Sequence, residues 1–380
     1  MSDSIKSFIE ENKDGIFKKL KELCLIPAPS HKEEKRAQFC KETLESFGAK
    51  GVYIDDALNV IFPLNCENSN EITVFAAHTD TVFPGLEPLP YTEDDGKIYC
   101  PGVGDDTSSV IAVLYIAKYF IENNIVPAKG VLFVLNSGEE GLGNLKGTKK
   151  LFKDFEGRVS YFITFDSNMD SIANRCAGSH RYEVEVKTEG GHSYNNFGNA
   201  NAIHEISKII NEIYKIEVPQ KEGEKTTYNV GTIEGGTSVN SIAQSAKMLC
   251  EYRSSDRECL AVMKAQFERI FEAAKSDKVS VNVVQVGDRP CSNIDFSEID
   301  KLEEVIVPCI EEVTGKPVIR RSASTDCNIP LSLGIPSLCI GNSMYEGMHT
   351  REEFLYKDSV APGMEIAIKA ARALAEYAGR

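Results

Sequence analysis

The stretch Ile72-Thr-Val-Phe-Ala-Ala-His78-Thr-Asp80 runs a β-prone apolar segment directly into a histidine and an acid. The same punctuation returns at Val131-Leu-Phe-Val-Leu135 before Gly138-Glu139-Glu140-Gly141, and at Tyr161-Phe-Ile-Thr-Phe165 before Asp166. Gly104-Asp105-Asp106 and Met348-His349 add two further chemistry-bearing turns. If the apolar runs are strands of one sheet, their ends converge on one edge, where open α/β sheets place ligand chemistry. Five such groups at one edge describe a two-metal site.

Working outward, helical periodicity covers roughly residues 4–25 and 31–47, broken at Ile26-Pro27-Ala28-Pro29-Ser30. Strand-like runs lie near 58–62, 72–77, 131–135 and 160–165, with a helix between Asp106 and Asn123. That helix carries Val110, Val113, Leu114, Ala117 and Ile121 at helical spacing, and Asp106, Thr107 and Ser108 offer N-cap oxygens. Alternating strands and helices predict an α/β fold with a mostly parallel sheet flanked by helices. The texture changes mid-chain: Arg181-Tyr-Glu-Val-Glu-Val-Lys187 and Val279-Ser-Val-Asn-Val-Val284 alternate apolar and polar, with helical stretches near 199–214 and 256–275 between them. Beyond about 288 the first texture resumes, with helices near 298–314 and 360–378. The expected organisation is one discontinuous domain, 1–176 and 289–380, interrupted by an α+β insert over 177–288.

A chain of 380 residues is long enough for two cores. No apolar stretch approaches the ~18 residues of a membrane span. The N-terminal segment reads as an amphipathic helix without a signal-peptide core, which points to a cytoplasmic protein. The 11 cysteines contain no CxxC pair, so they are expected as reduced thiols filling apolar positions. A formal charge of −15 repels nucleic acid and anionic membranes, so neither is an expected partner.

His78, Asp105, Glu140, Asp166 and His349 supply two imidazoles and three carboxylates, a donor set suited to zinc in hydrolytic sites. One bridging carboxylate, with one histidine and one acid on each side, uses that set completely. Paired metals ~3.5–4 Å apart activate a water and polarise a carbonyl. Amide hydrolysis then needs a base, and Glu139 precedes a proposed ligand in the same turn. Asp80 lies two residues beyond His78 on the same face of an extended segment, placed to bind the other imidazole nitrogen and orient the ring.

These residues resemble the zinc-dependent exopeptidases and amidohydrolases that include peptidase T, carboxypeptidase G, aminoacylase and acetylornithine deacetylase. The resemblance covers nearly the whole chain through Leu25-Ile-Pro-Ala-Pro-Ser30, His78-Thr-Asp80, Gly104-Asp105-Asp106, Gly138-Glu139-Glu140-Gly141, Asp166, Gly190-Gly-His192-Ser, Gly235-Gly-Thr-Ser-Val-Asn240, and Gly334-Ile-Pro-Ser leading to His349-Thr. It implies that Asp105 bridges two zinc ions, with His78 and Asp166 on one and Glu140 and His349 on the other; Asp106 is the alternative bridge. It also implies Glu139 as general base and Asp80 as the partner of His78. The insert is then a lid and homodimerisation domain, with His192 stabilising the oxyanion in the opposite subunit and Asn240 and Arg253 holding substrate. Thr107-Ser108-Ser109 and the Met344-Tyr-Glu-Gly-Met348 approach to His349 depart from the family pattern.

The expected activity is metal-dependent cleavage of a short peptide, like a tripeptide aminopeptidase or dipeptidase, with two Zn2+ per chain, or Co2+ or Mn2+ in their place. In the resembling family an Asp at the position of Asp166 accompanies aminopeptidases and dipeptidases. The alternatives are an N-acyl amino acid deacylase or carboxypeptidase using the same site and, more remotely, a non-catalytic peptide-binding protein.

Overall fold

The computed structural model describes residues 2–377, arranged as two compact units: Met1–Cys176 with Asn293–Arg380, and Ala177–Ser292. In chain order, the sheet strands of the first unit are β1 Tyr53–Ile54, β2 Val60–Leu64, β3 Ile72–His78, β4 Gly130–Asn136, β5 Val159–Phe165, β6 Ser171–Cys176, β7 Ile319–Ala323 and β8 Ser337–Ile340. They lie side by side as β1-β2-β4-β3-β5-β8-β6-β7. The central four, β4, β3, β5 and β8, run parallel, while β2 and β6 flank them antiparallel. All seven residues of β3 and of β4 are buried, as expected for strands covered on both faces.

The covering helices include α1 Ser2–Cys24, α2 Glu34–Ser46, α3 Ser108–Glu122, α4 Phe296–Thr314 and α5 Val360–Glu376. Helix α3 packs between β3 and β4 on one side and α1 and α5 on the other. It is therefore buried well beyond a single stripe, Tyr115, Tyr119 and Phe120 included. The sheet contributes Phe62, Phe75 and Phe133, whose stacked rings join this core.

Three local expectations are corrected. The strand expected from 58 begins at Val60, because Leu58 has φ 73° and Asp55 Oδ1 accepts the N–H groups of Ala57 and Asn59, closing a turn. His31 is not helical: its φ is 72°, its N–H bonds Glu33 Oε1, and α2 starts at Glu34. The helix expected from Asp106 starts at Ser108 without a side-chain cap. Thr107 donates to Gly102 O and Asp106 accepts the N–H of His78, so both are committed to the neighbouring turn and strand.

The second unit is a four-stranded antiparallel sheet in the order Thr226–Gly235, Ser245–Ser254, Gly178–Lys187, Ser280–Arg289. Strand Ser245–Ser254 alternates buried and half-buried residues along its full length. Its buried face joins helices Ala202–Ile213 and Arg257–Ala273 in a core around Val184, Met248 and Phe267.

Candidate metal centre

Parallel pairing brings three strand ends together. His78 is the last residue of β3 and lies in register with Asn136, the last of β4. The chain leaves β4 through Ser137 and Gly138 into Glu139 and Glu140, and Asp166 follows β5 directly. Gly138 has φ 67°, and a Cβ there would fall 2.6 Å from the Lys146 side chain, so glycine allows the sharp turn. Asp105 comes from a different element, the turn Val103–Thr107 ahead of α3. A Cβ on Gly104 would lie 2.1 Å from Cγ of Tyr345, so only glycine lets that ring close over the turn. His349 sits at φ 65° in the left-handed region.

The carboxylate of Asp105 joins the two imidazoles. Its Oδ1 lies 3.0 Å from His78 Nε2, and its Oδ2 lies 3.0 Å from His349 Nε2. His349 Nε2 is also 3.2 Å from Glu140 Oε1. Ligand atoms of His78, Asp105 and Glu140 all lie within 4.8 Å of one another, as do those of His78, Asp106 and Asp166. Asp106 Oδ2 accepts the backbone N–H of His78 at 3.0 Å, whereas its Oδ1 is buried with no hydrogen-bond partner among the described residues.

The charges interact strongly. Burial alone would lower the imidazole of His78, but Asp106, Asp105 and Asp80 carry it well above its ordinary value. His349, bonded to Asp105 and Glu140, is pushed up to about 10. Burial raises Asp105, but His349 and His78 outweigh it and hold that carboxyl well below its usual range. Glu140 rises to about 7 through burial and the proximity of Asp105. Asp166 is carried well above its ordinary value by burial, reinforced by Asp105.

Asp80 organises the neighbouring backbone. Its Oδ1 accepts the N–H of Glu139 at 2.9 Å and lies 3.4 Å from His78 Nδ1. Its Oδ2 accepts the N–H of Glu140 at 2.9 Å and the hydroxyl of Ser30 at 2.6 Å. One buried carboxylate thus faces the imidazole and pins the Glu139–Glu140 turn. The Glu139 side chain is itself buried, within electrostatic reach of Glu140 and Asp166.

In the insert, His192 pairs with Ser241 on a two-stranded ribbon, and Ser193 N–H bonds Asn240 O at 3.0 Å, so His192 and Asn240 are neighbours. The N–H groups of Tyr194 and Asn195 point at His192 Nδ1, which leaves Nε2 as the protonated nitrogen. Arg253 stands at the far end of Ser245–Ser254, separated from Asn240 by roughly 25 Å of strand. There it is held by Glu251, whose other partner is Arg181. The structure therefore does not bring Arg253 to His192 and Asn240 within one insert.

The model of peptidase family M20/M25/M40 matches residues 74–373. The chain belongs to this family. Members are hydrolases, and this M20 chain is one. It is 24% identical to the uncharacterized protein YqjE of Bacillus subtilis over 94% of this chain and 97% of YqjE. It is 26% identical to succinyl-diaminopimelate desuccinylase of Bordetella bronchiseptica over 53% of this chain and 57% of that enzyme. Among solved structures, a tripeptidase of Staphylococcus aureus aligns with a TM-score of 0.73 at 23% identity, covering 95% of this chain and 98% of the tripeptidase.

The donors of this M20 site fit divalent cations. Oxygen and imidazole nitrogen are the ligands zinc takes in hydrolytic sites, and Asp106 Oδ1 is a buried acceptor without a hydrogen-bond partner among the described residues. The acids around the two histidines raise both imidazoles, the same negative field that would attract a cation.

Three residues holding this site have no role assigned to them from the sequence. Arg36 is fully buried; its Nε donates to Ile26 O at 2.8 Å, and its Nη1 donates to Thr79 O at 3.2 Å and Thr107 Oγ1 at 3.1 Å. Ser30 reaches both Asp80 and the carbonyl of Glu140. Glu353 accepts backbone N–H groups from the Asp105 turn. Arg36 follows Glu33-Glu34-Lys35, and Glu353 follows Arg351-Glu352, so both read locally as members of solvated charge runs. Among the described residues, no helix is long and apolar enough to cross a membrane.

Proposed function

We propose that this chain cleaves an amide bond in a short peptide, as a tripeptide aminopeptidase or dipeptidase, at a centre of two zinc ions. His78 and Asp166 would hold one, Glu140 and His349 the other, and Asp105 would serve both. The observation that carries the reading is the Asp105 carboxylate, which offers one oxygen toward each imidazole at 3.0 Å. Asp106 fits the bridging role less well, because one of its oxygens is taken by the backbone of His78.

When bound, the cations would polarise the scissile carbonyl and acidify a water; Co2+ or Mn2+ could substitute for zinc. Glu139 takes the proton of the attacking water and delivers it to the leaving amine. Asp80 fixes the ring of His78 through Nδ1 and holds the backbone from which Glu139 projects. His192 stabilises the developing oxyanion through Nε2–H, while Asn240 and Arg253 bind the substrate backbone and carboxylate. The distance between Arg253 and Asn240 in one insert supports their serving different sites of a homodimer formed through the insert. We place the enzyme in the cytoplasm.

A second reading, N-acyl amino acid deacylation, is favoured by similarity to the desuccinylase. The deciding experiment is metal analysis of purified protein, paired with hydrolysis of a tripeptide, a dipeptide and N-acyl amino acids before and after chelation and zinc restoration. Restorable cleavage confined to N-acyl substrates would replace the peptidase reading, and protein that binds no metal would remove the site.

A further inference from the structure

The turn Val103–Thr107 presents Asp105 with little regular hydrogen bonding of its own. Asp105 and Asp106 both have non-helical backbone angles, at φ −113°, ψ 91° and φ −129°, ψ 24°. The N–H groups at the front of this turn converge on one side chain. Glu353 Oε2 accepts from Gly102 at 2.7 Å, and Oε1 accepts from Gly104 at 2.8 Å and from Asp105 itself at 3.0 Å. Glu353 is 1% exposed, so water does not compete for these bonds.

The same residue closes a second connection. Glu353 lies four positions beyond His349, and its carbonyl accepts the N–H of Cys100 at 3.2 Å. The strand Phe354–Tyr356 continues this seam, pairing antiparallel with Lys97–Tyr99. The segment that delivers Asp105 and the segment that delivers His349 are thus stitched together at Glu353. A carboxylate suits this position because both its arms accept. A glutamine in its place would aim an N–H2 donor at one of the backbone N–H donors.

We infer that Glu353 is a positioning residue of the metal centre. Its carboxylate sets the backbone of Asp105 so that the two carboxylate oxygens of Asp105 face His78 and His349. This inference rests on Asp105 as the shared ligand. Glu353 touches neither cation nor substrate; it acts on the ligand that does.

The test compares wild-type protein with Glu353→Gln, Glu353→Asp and, as control, Glu352→Gln, which changes an exposed charge one residue earlier. Zinc retention is titrated against a chromophoric chelator, kcat and KM are measured on a tripeptide, and unfolding is followed on fully chelated protein. Outer partners of metal ligands typically contribute 10–100-fold to metal affinity or activity. Glu353→Gln is therefore expected to weaken zinc retention about 10–100-fold and lower kcat more than it raises KM. The chelated variant should remain folded at the assay temperature. Glu353→Asp, which keeps two accepting arms on a shorter stem, should recover part of the loss, and it carries the test if the glutamine variant does not fold. Glu352→Gln should match wild type. Wild-type zinc retention and kcat in Glu353→Gln would overturn the inference, as would losses fully accounted for by unfolded protein in both Glu353→Gln and Glu353→Asp. If wild-type protein itself binds no zinc, the reading of Asp105 as a ligand fails, which separates that failure from a failure specific to Glu353.

Discussion

Replacing Arg36 by methionine tests whether this buried side chain of α2 holds together the chain at Ile26 and the turns after His78 and Asp105. The guanidinium is 0% exposed and donates to Ile26 O, Thr79 O and Thr107 Oγ1. Methionine fills much of the same stem but donates nothing. Thr107 keeps its bond to Gly102 O, whereas the carbonyls of Ile26 and Thr79 lose their arginine partner. At about 1–3 kcal/mol for each stranded acceptor, the gross loss is roughly 2–6 kcal/mol. Arg36 Nη2 is already buried with no partner among the described residues, so removing the guanidinium returns on the order of 1–2 kcal/mol. Taking the middle of each range, about 4 less about 1.5 kcal/mol, the net destabilisation should be about 2–3 kcal/mol, equivalent in a chain of this length to a Tm lower by roughly 3–5 °C. The assay is thermal unfolding of chelated protein, so that metal binding does not contribute to the midpoint. Arg36→Lys, which keeps the charge but not the fork, should fall between wild type and methionine. An unchanged or higher midpoint for Arg36→Met would refute the reasoning, because it would mean that the lost carbonyl bonds contribute less than the guanidinium's burial costs.

Glu139→Ala should abolish turnover while leaving both metals bound; loss of a metal by elemental analysis would make Glu139 a ligand instead of the base. His349 is pushed up to about 10 by Asp105 and Glu140 and must become neutral to ligate. Zinc binding at pH 7.5 should therefore release at least one proton per chain, and affinity should climb with pH until it approaches the His349 value. Calorimetry in buffers of different ionisation enthalpy measures this release, and a release of zero would overturn the raised protonation of His349. If His192 acts across a dimer, mixing His192→Ala with Glu139→Ala subunits should restore part of the activity. No recovery after demonstrated subunit exchange would confine His192 to its own chain.

The sequence by itself determined the α/β class, because runs such as Ile72–Ala77 and Val131–Leu135 are too apolar for anything but doubly covered strands, and the intervening helical periodicity demands parallel crossovers. It also marked His78, Glu139, Glu140 and Asp166, since a polar residue directly after a buried strand has only the sheet edge on which to lie. The helix cap was misread for a physical reason: Asp106 and Thr107 have the right oxygens for a cap, but a strand backbone and a glycine carbonyl compete for them. Tertiary structure alone decided which aspartate presents oxygens to both imidazoles, because Asp105 and Asp106 are chemically identical and differ only in backbone direction. It alone revealed Arg36 and Glu353, whose partners at Thr79, Thr107 and Gly102–Asp105 are remote in sequence. Local sequence encodes the period of a strand or helix, and hence which residues reach an edge. It does not encode which distant carbonyl or N–H a buried charge will meet, since that depends on how the loops cross once the sheet has formed.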